Sequence, residues 1–431
     1  MIRRLNAAVI SSLALFFAAW LPGVPASAAS SAALPPGVVR HIVVFKPGTG
    51  RGARLSIVQG QGGQVVRELP LINAVVIEGD SAQILDTSTE LSKRSEVLRV
   101  DPDPVVNWLV SVDRGMGEFS VPSAADVLGP AASALKALQQ SVPHAKTAGQ
   151  QTPWGISRVH APEAWAKTAG QGVKVCVVDT GIDMTHPDLK GNVAGGWNAI
   201  DNSDNFKDDN GHGTHVSGTI AAVDNKIGVV GVAPKASLYG VKVLDASGSG
   251  SFDAVIAGMQ WCVQHHMQVA SMSLGADQGN DSLKETVAAM AKGGVALIAA
   301  AGNSGPGAGT VGYPAGYPGA IAIAAMDSSD KTADFSSRGP QVAFIAPGVG
   351  VLSTYMGGGY RELSGTSMAT PHMSGLAALA IASRGISGYK AVLAALKSAA
   401  TPIAGADRAE QGNGVIDARV LVQGANAPQH H

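Results

Sequence analysis

The chain has 431 residues, enough for two or three domains, and a formal net charge of −1 with 15% charged residues gives it no electrostatic footprint for nucleic acid. Its 54 glycines punctuate short turns and follow no fixed period, which excludes collagen, solenoid and coiled-coil architectures. Two cysteines, Cys176 and Cys262, exclude a disulfide framework and leave open both a single bridge and two buried free thiols.

The N-terminus reads MIRRLNAAVISSLALFFAAWLPGVPASAAS. Arg3 and Arg4, an apolar run, a proline and the small-residue pattern Ala26-Ser27-Ala28 have the form of a secretory signal over 1–28, cleaved after Ala28. An uncleaved anchor over 7–24 is the competing reading, because that run approaches spanning length. On the first reading the rest of the chain is secreted and soluble, with no second spanning segment.

Residues 36–107 form a first unit. HIVVFKP (41–47) and NAVVIEG (73–79) read as strands, stretches near 50–62 and 81–92 read as helices, and VLRVDPDPVV closes as a further strand. This is the pattern of a small α+β sandwich. Residues 108–149 are rich in Ala, Ser and Pro and read as a linker or extension, with one amphipathic stretch near 131–140.

From about 150 to 425 the strands become apolar throughout: VKVCVVD (173–179), SLYGVKVL (237–244), VASMSLG (269–275), VALIAAAGN (295–303) and AIAIAAM (320–326). Strands of a parallel sheet covered on both faces look like this. Helix-like stretches at 213–223, 251–266, 282–292 and 367–383 lie between or after them, which predicts a doubly wound α/β domain. Such sheets bind ligands beyond the carboxyl ends of their strands, so reactive residues are expected there.

Four residues stand at such places. Asp179 ends the first of these strands and is followed by a tight turn; alone it reads as a turn or cap residue, and beside a histidine it would hold the imidazole in one tautomer. His212 sits between two glycines at a helix start, in DDNGHGTHVSGTIAA. His215 follows three residues later, but zinc motifs on helices place His at i and i+4 with a Glu between, so His215 is given a structural role. Asn303 ends VALIAAAGN and offers an amide donor for an oxyanion. Ser367, in LSGTSMATPH, is an ordinary helix-start hydroxyl unless a base, an orienter and an oxyanion site accompany it.

Together, VVDTGIDMTHPDL, GHGTHVSGTIAA, AAAGNSG and GTSMATPHMSG, in the order Asp, His, Asn, Ser, resemble the motif blocks of the subtilisin-like serine proteases over about residues 150–425. The resemblance implies a three-layer parallel α/β fold and a serine endopeptidase. In it Ser367 attacks the scissile carbonyl, His212 removes and returns the proton, Asp179 orients the imidazole, and Asn303 with the N–H of Ser367 holds the oxyanion. It also implies a cleft lined by Gly248, Ser249 and Gly250 on one side and Ser273, Leu274 and Gly275 on the other, where a polypeptide substrate pairs as an added strand. Phe252 would border a distal apolar subsite. Gly312 would lie at the floor of an open, apolar primary pocket that favours large uncharged side chains. Relatives that cut at dibasic sites cluster acids at the cleft, for which Asp208, Asp209 and Asp277 are the candidates here.

VDNKIGVVGVAP resembles the family's calcium loop. By that likeness Asn225 gives a side-chain oxygen, Val223, Ile227 and Val229 give carbonyls, and Asp188 and Gln150 complete the shell of a structural Ca²⁺, with Gln151 the alternative to Gln150. Residues 36–107 resemble the family's inhibitory propeptide, an intramolecular inhibitor and folding aid for a monomeric enzyme made as a zymogen. Residues 108–149 depart from the family pattern and leave the maturation site anywhere from about 107 to 150.

Overall fold

The computed structural model describes residues 34–109 and 149–423. The expected signal over 1–28 and nearly all of the expected linker over 108–149 lie outside the described residues. Strands β1 (Val38–Phe45), β2 (Gln64–Leu69), β3 (Ala74–Asp80) and β4 (Val97–Pro102) form an antiparallel sheet in the order β2-β3-β1-β4. Helices α1 (Arg51–Gly60) and α2 (Ser81–Ser92) cover one face, closing a core of Val43, Phe45, Val58, Val75, Ile77, Ile84 and Leu91.

The alternate residues Ile42, Val44, Leu69, Ala74 and Val76 point the other way and join the core of the second unit. Successive side chains of a strand face opposite sides, so HIVVF and AVVI, apolar at every position, need a partner on both faces. The helices supply one and the second unit the other.

That second unit is built on seven parallel strands in the order β13-β12-β11-β10-β6-β8-β7. They are β6 (Lys174–Asp179), β7 (Val193–Asn198), β8 (Ser237–Lys242), β10 (Val269–Met272), β11 (Ala296–Ala300), β12 (Ala320–Met326) and β13 (Val342–Pro347). Outside this sheet, among other short strands, β5 (Val105–Asn107) and β9 (Ser249–Ser251) pair with each other. Helices α3 (His212–Ala221) and α6 (Thr366–Arg384) cover one face with Val216, Ile220, Met368 and Leu376. Helices α4 (Phe252–Gln264) and α5 (Asp281–Lys292) cover the other with Val255, Met259, Leu283 and Val287. On β6, Val175 and Val177 join the first layer while Cys176 and Val178 join the second. This three-layer α/β arrangement is the expected one.

The structure differs from expectation at the sheet edges and strand ends. Edge strand β7, VAGGWN, carries Gly195 and Gly196, which have low strand propensity. Gly196 is there for space, since a Cβ would stand 2.1 Å from the carbonyl oxygen of Gly240 on β8. Segments 273–275 and 301–303, expected as strand, leave the sheet after Met272 and Ala300.

Cys176 and Cys262 are bonded, fully buried, and join β6 to α4 across 86 residues of sequence. Of the two open readings, the single bridge holds. Closing a loop of that length removes about 4–5 kcal/mol of denatured-state entropy. A Cys176→Ala/Cys262→Ala chain is expected to lose about that much stability, read by urea unfolding of an otherwise inactive Ser367→Ala chain; a loss near zero would contradict it.

Candidate active site

Asp179 is the last residue of β6 and is fully buried. Its Oδ1 accepts from the Thr180 N–H at 2.7 Å and from His212 Nδ1 at 2.8 Å. Donation from Nδ1 leaves the lone pair of the neutral ring on Nε2. The approach is close because residue 213 is glycine: a Cβ there would stand 2.1 Å from the Gly181 carbonyl oxygen and 3.2 Å from Asp179 Oδ1. Gly211, at φ 104, occupies the left-handed region that starts the helix.

Two residues that sequence reasoning did not place in this role hold the pair from beneath. Asp208 accepts from Thr180 Oγ1, Gly211 N–H and Thr214 N–H, each at 2.9 Å, tying the turn after β6 to the start of α3. Lys242, buried at the end of β8, donates from Nζ to the carbonyls of Thr180 and Leu244 at 2.8 Å and to Asp209 at 2.6 Å. Asp208 and Asp209 are therefore engaged in structure, which argues against their serving as recognition acids for a dibasic substrate.

Ser367 is buried in the first turn of α6. Pro371, inside that helix, cannot donate to the Ser367 carbonyl, which accepts instead from Ser273 Oγ at 2.8 Å. Ser367 Oγ in turn donates to the Ser273 carbonyl at 3.2 Å. Ser367 thus stands in the first turn of α6, at the positive end of the helix dipole.

Asn303 lies just past β11, with Oδ1 accepting from both the N–H and the Oγ1 of Thr366 at 3.0 Å. Thr366 Oγ1 also accepts from the Gly302 N–H at 3.1 Å. The amide is thus held by its oxygen, and its Nδ2 is buried with no hydrogen-bond partner among the described residues. A buried donor without a partner costs about 1–3 kcal/mol, a cost expected where a ligand supplies the acceptor. Thr366 therefore positions Asn303 beside Ser367, and its only mark in the sequence is its place before Ser367.

The two segments expected to line the cleft flank a stretch of this chain. β5 pairs antiparallel with β9, Val106 opposite Gly250 and Asn107 opposite Ser249. Trp108 donates its N–H to the Gly248 carbonyl, and its own carbonyl accepts from the Gly275 N–H, both at 3.0 Å. Leu274 is buried behind this segment. The Trp108 indole donates from Nε1 to the Gly250 carbonyl at 2.9 Å and packs 4.9 Å from the ring of Phe252. Phe252 also borders a cavity of about 680 Å³ shared with Val106, Ala276 and Gly279. Gly312 donates to the Ala301 carbonyl at 2.9 Å, and a Cβ there would stand 3.0 Å from the Ala276 carbonyl. Trp108 and Leu109, expected in the linker, are buried in the cleft, because an indole and a leucine are well matched to its apolar wall.

The residues expected to hold calcium also meet. Asp188, fully buried, accepts at Oδ1 from Asn225 Nδ2 at 2.8 Å and at Oδ2 from the Val229 N–H and the Tyr360 hydroxyl, both at 2.9 Å. Gln150 Oε1 accepts from the Asn225 N–H at 2.6 Å, and Asn225 Oδ1 from the Ile227 N–H at 2.8 Å. Val223 donates its N–H to the Asp188 carbonyl at 2.8 Å. Gln151 is exposed and pairs by its backbone with Val229, so Gln150 is the side chain that reaches the loop. Gly228, at φ 55, leaves no room for a Cβ, which would stand 2.1 Å from Asp188 Oδ2. None of these partners of the buried Asp188 carboxylate is cationic, and the carboxylate and amide oxygens of Asp188, Gln150 and Asn225 are of the type a hard divalent cation takes.

His215 keeps the structural role given to it. Nε2 lies 3.0 Å from the carbonyls of Val351 and Arg361, and burial pushes its pKa down to about 3.

The family model "Subtilase family" matches residues 170–415. The chain belongs to the subtilase family. This subtilase is 51% identical over 234 residues to the M-protease of Shouchella clausii (strain KSM-K16), covering 54% of this chain and 60% of the relative. It is 51% identical over 231 residues to Subtilisin Savinase of Lederbergia lenta, covering 53% of this chain and 84% of that relative. It is 49% identical over 234 residues to Subtilisin E of Bacillus subtilis (strain 168), covering 53% and 61%. The chain thus spans about 60% of the length of the M-protease.

Proposed function

We infer that this subtilase is a secreted serine endopeptidase made as a zymogen. The observation that carries the reading is the buried Asn303 donor, held by Thr366 beside Ser367 and without a partner of its own. Held in this way, the Nδ2 donor has its acceptor supplied during the reaction by the oxyanion.

In the mechanism that follows, a substrate strand pairs with Gly248–Gly250 and Ser273–Gly275, placing its scissile carbonyl at Ser367. The Ser367 hydroxyl attacks, and His212 Nε2 takes its proton while Asp179 stabilises the imidazolium at Nδ1. The oxyanion is held by Asn303 Nδ2 and the Ser367 N–H. His212 then returns the proton to the leaving amine, and water repeats the sequence on the acyl group. A primary pocket floored by Gly312 favours large apolar side chains.

Residues 34–109 act as the inhibitory propeptide. The antiparallel pairing of β5 with β9 and the burial of Trp108 support this, since they occupy the positions proposed for substrate. The bond cut during maturation lies within a few residues after Leu109, and the mature enzyme works as a monomer. Among the described residues no helix is long and apolar enough to cross a membrane. Gln150, Asp188 and Asn225, with the carbonyls of Val223, Ile227 and Val229, hold a structural Ca²⁺ that neutralises the buried carboxylate and fixes the loop.

Incubating the wild-type chain with a peptide mixture, and sequencing the N-terminus of its own product, tests the reading. Cleavage after large apolar residues and a new N-terminus shortly after Leu109 are expected. An intact chain and an uncut mixture would overturn it. Calcium has a separate test in the inactive Ser367→Ala chain. Saturation at a hundred times Kd adds about 2.7 kcal/mol, so a chelator is expected to lower the unfolding temperature by several degrees. Asp188→Asn is expected to abolish that response.

A further inference from the structure

The face on which the N-terminal sheet sits is not wholly apolar. Asp103, in the turn between β4 and β5, is 3% exposed, and its Oδ1 accepts the Asp253 N–H in the first turn of α4 at 2.8 Å. Asp253 is fully buried and its Oδ1 accepts from Ser251 Oγ. Charged groups reach this point from three strands of the N-terminal sheet. Arg67 of β2 places Nε 3.0 Å from Asp253 Oδ2, and Arg40 of β1 places Nη1 3.7 Å from Asp253 Oδ1. Arg40 is also paired with Glu78 of β3 at 2.6 Å.

Three carboxylates therefore meet two guanidiniums, and both guanidiniums lie against Asp253 or Glu78. Asp103 is the carboxylate left over: its Oδ2 is buried and has no hydrogen-bond partner among the described residues. An ionised carboxyl in that setting loses its hydration and faces a second carboxylate, whereas the neutral acid loses much less. We propose that seating the N-terminal unit on the catalytic unit takes up one proton at Asp103, so that the contact is tightest in acid and loosens as the pH rises. The proposal rests on residues 34–109 being a detachable inhibitory unit, and it adds how detachment is regulated.

Burial first, and then the charge of Asp253, push the docked Asp103 well above the usual carboxylate range. Once undocked, Asp103 returns to water and an ordinary value of about 3.9. Below that value both states carry the proton and docking is strongest. Above it only the docked state does, so docking weakens about tenfold per pH unit until the docked group also ionises, beyond which it is level. Neutral and alkaline media thereby favour release.

Hydrogen exchange in the full, uncleavable Ser367→Ala chain tests this, because it needs no maturation. Protection of the Trp108 and Gly275 amides, corrected for the intrinsic pH dependence of exchange, is expected to fall about tenfold per pH unit over part of the range from pH 4 to 9. Asp103→Asn, which keeps the acceptor for the Asp253 N–H, is expected to remove that slope. Asp253→Asn is expected to end it at a lower pH. Amides of β10 and β11 report that each variant is folded. A parent chain without the slope, or an Asp103→Asn chain with the parent's slope, would overturn the proposal. A wild-type chain that shows the slope in its Ser367→Ala form but never cleaves itself would sink the zymogen reading and leave this one standing.

Discussion

Ser367→Ala is expected to lower turnover by about 10⁶ while leaving KM nearly unchanged, a size known from subtilisin and carried over to this relative. On the proposed mechanism the Ser367 hydroxyl is the group that forms the acyl bond. The sharper form of the prediction concerns His212. If Ser367 and His212 act as one unit, His212→Ala alone costs about as much as Ser367→Ala, and the double variant costs little more. Additive losses would mean that the two residues act separately. The measurement is kcat on one peptide substrate for the three variants, with the calcium loop intact in each.

The second large effect is at Asn303. Asn303→Leu keeps the side-chain volume and removes the Nδ2 donor, so turnover is expected to fall about 10²–10³-fold, again a figure taken from subtilisin. KM is expected to hold, because the oxyanion exists only on the way to the acyl enzyme. Thr366→Val removes the Oγ1 contacts at 3.0 Å to Asn303 and 3.1 Å to Gly302 and leaves the backbone N–H contact in place. It is expected to cost about ten- to a hundredfold, the worth of two neutral hydrogen bonds. A loss in KM with unchanged kcat at either position would assign these residues to ground-state binding.

Much of the fold is legible from the chain because burial on both faces leaves a plain mark. β6, β8, β10, β11 and β12 are apolar at successive positions, and they are the five central strands. β7 and β13 lie at the edges, and the glycines of β7, of which Gly196 is needed for the close approach to β8, hide it from a propensity reading. Asp179, His212, Asn303 and Ser367 are legible because each sits where a strand ends or a helix begins. Thr366, Asp208 and Lys242 are not, since they act by holding those residues, and a hydroxyl, an acid and a lysine have many ordinary uses. Trp108 was hidden by composition: it opens a stretch rich in Ala, Ser and Pro, and only the pairing of β5 with β9 shows that the ordered unit continues through it.

The most direct test of the central claim is labelling by a serine-directed fluorophosphonate, with the modified residue located by mass spectrometry. The account predicts a single label on Ser367 of the wild-type chain after residues 34–109 have left, less before they leave, and none on the Ser367→Ala chain. A chain that stays unlabelled once those residues are gone, or that labels equally after Ser367→Ala, would contradict it.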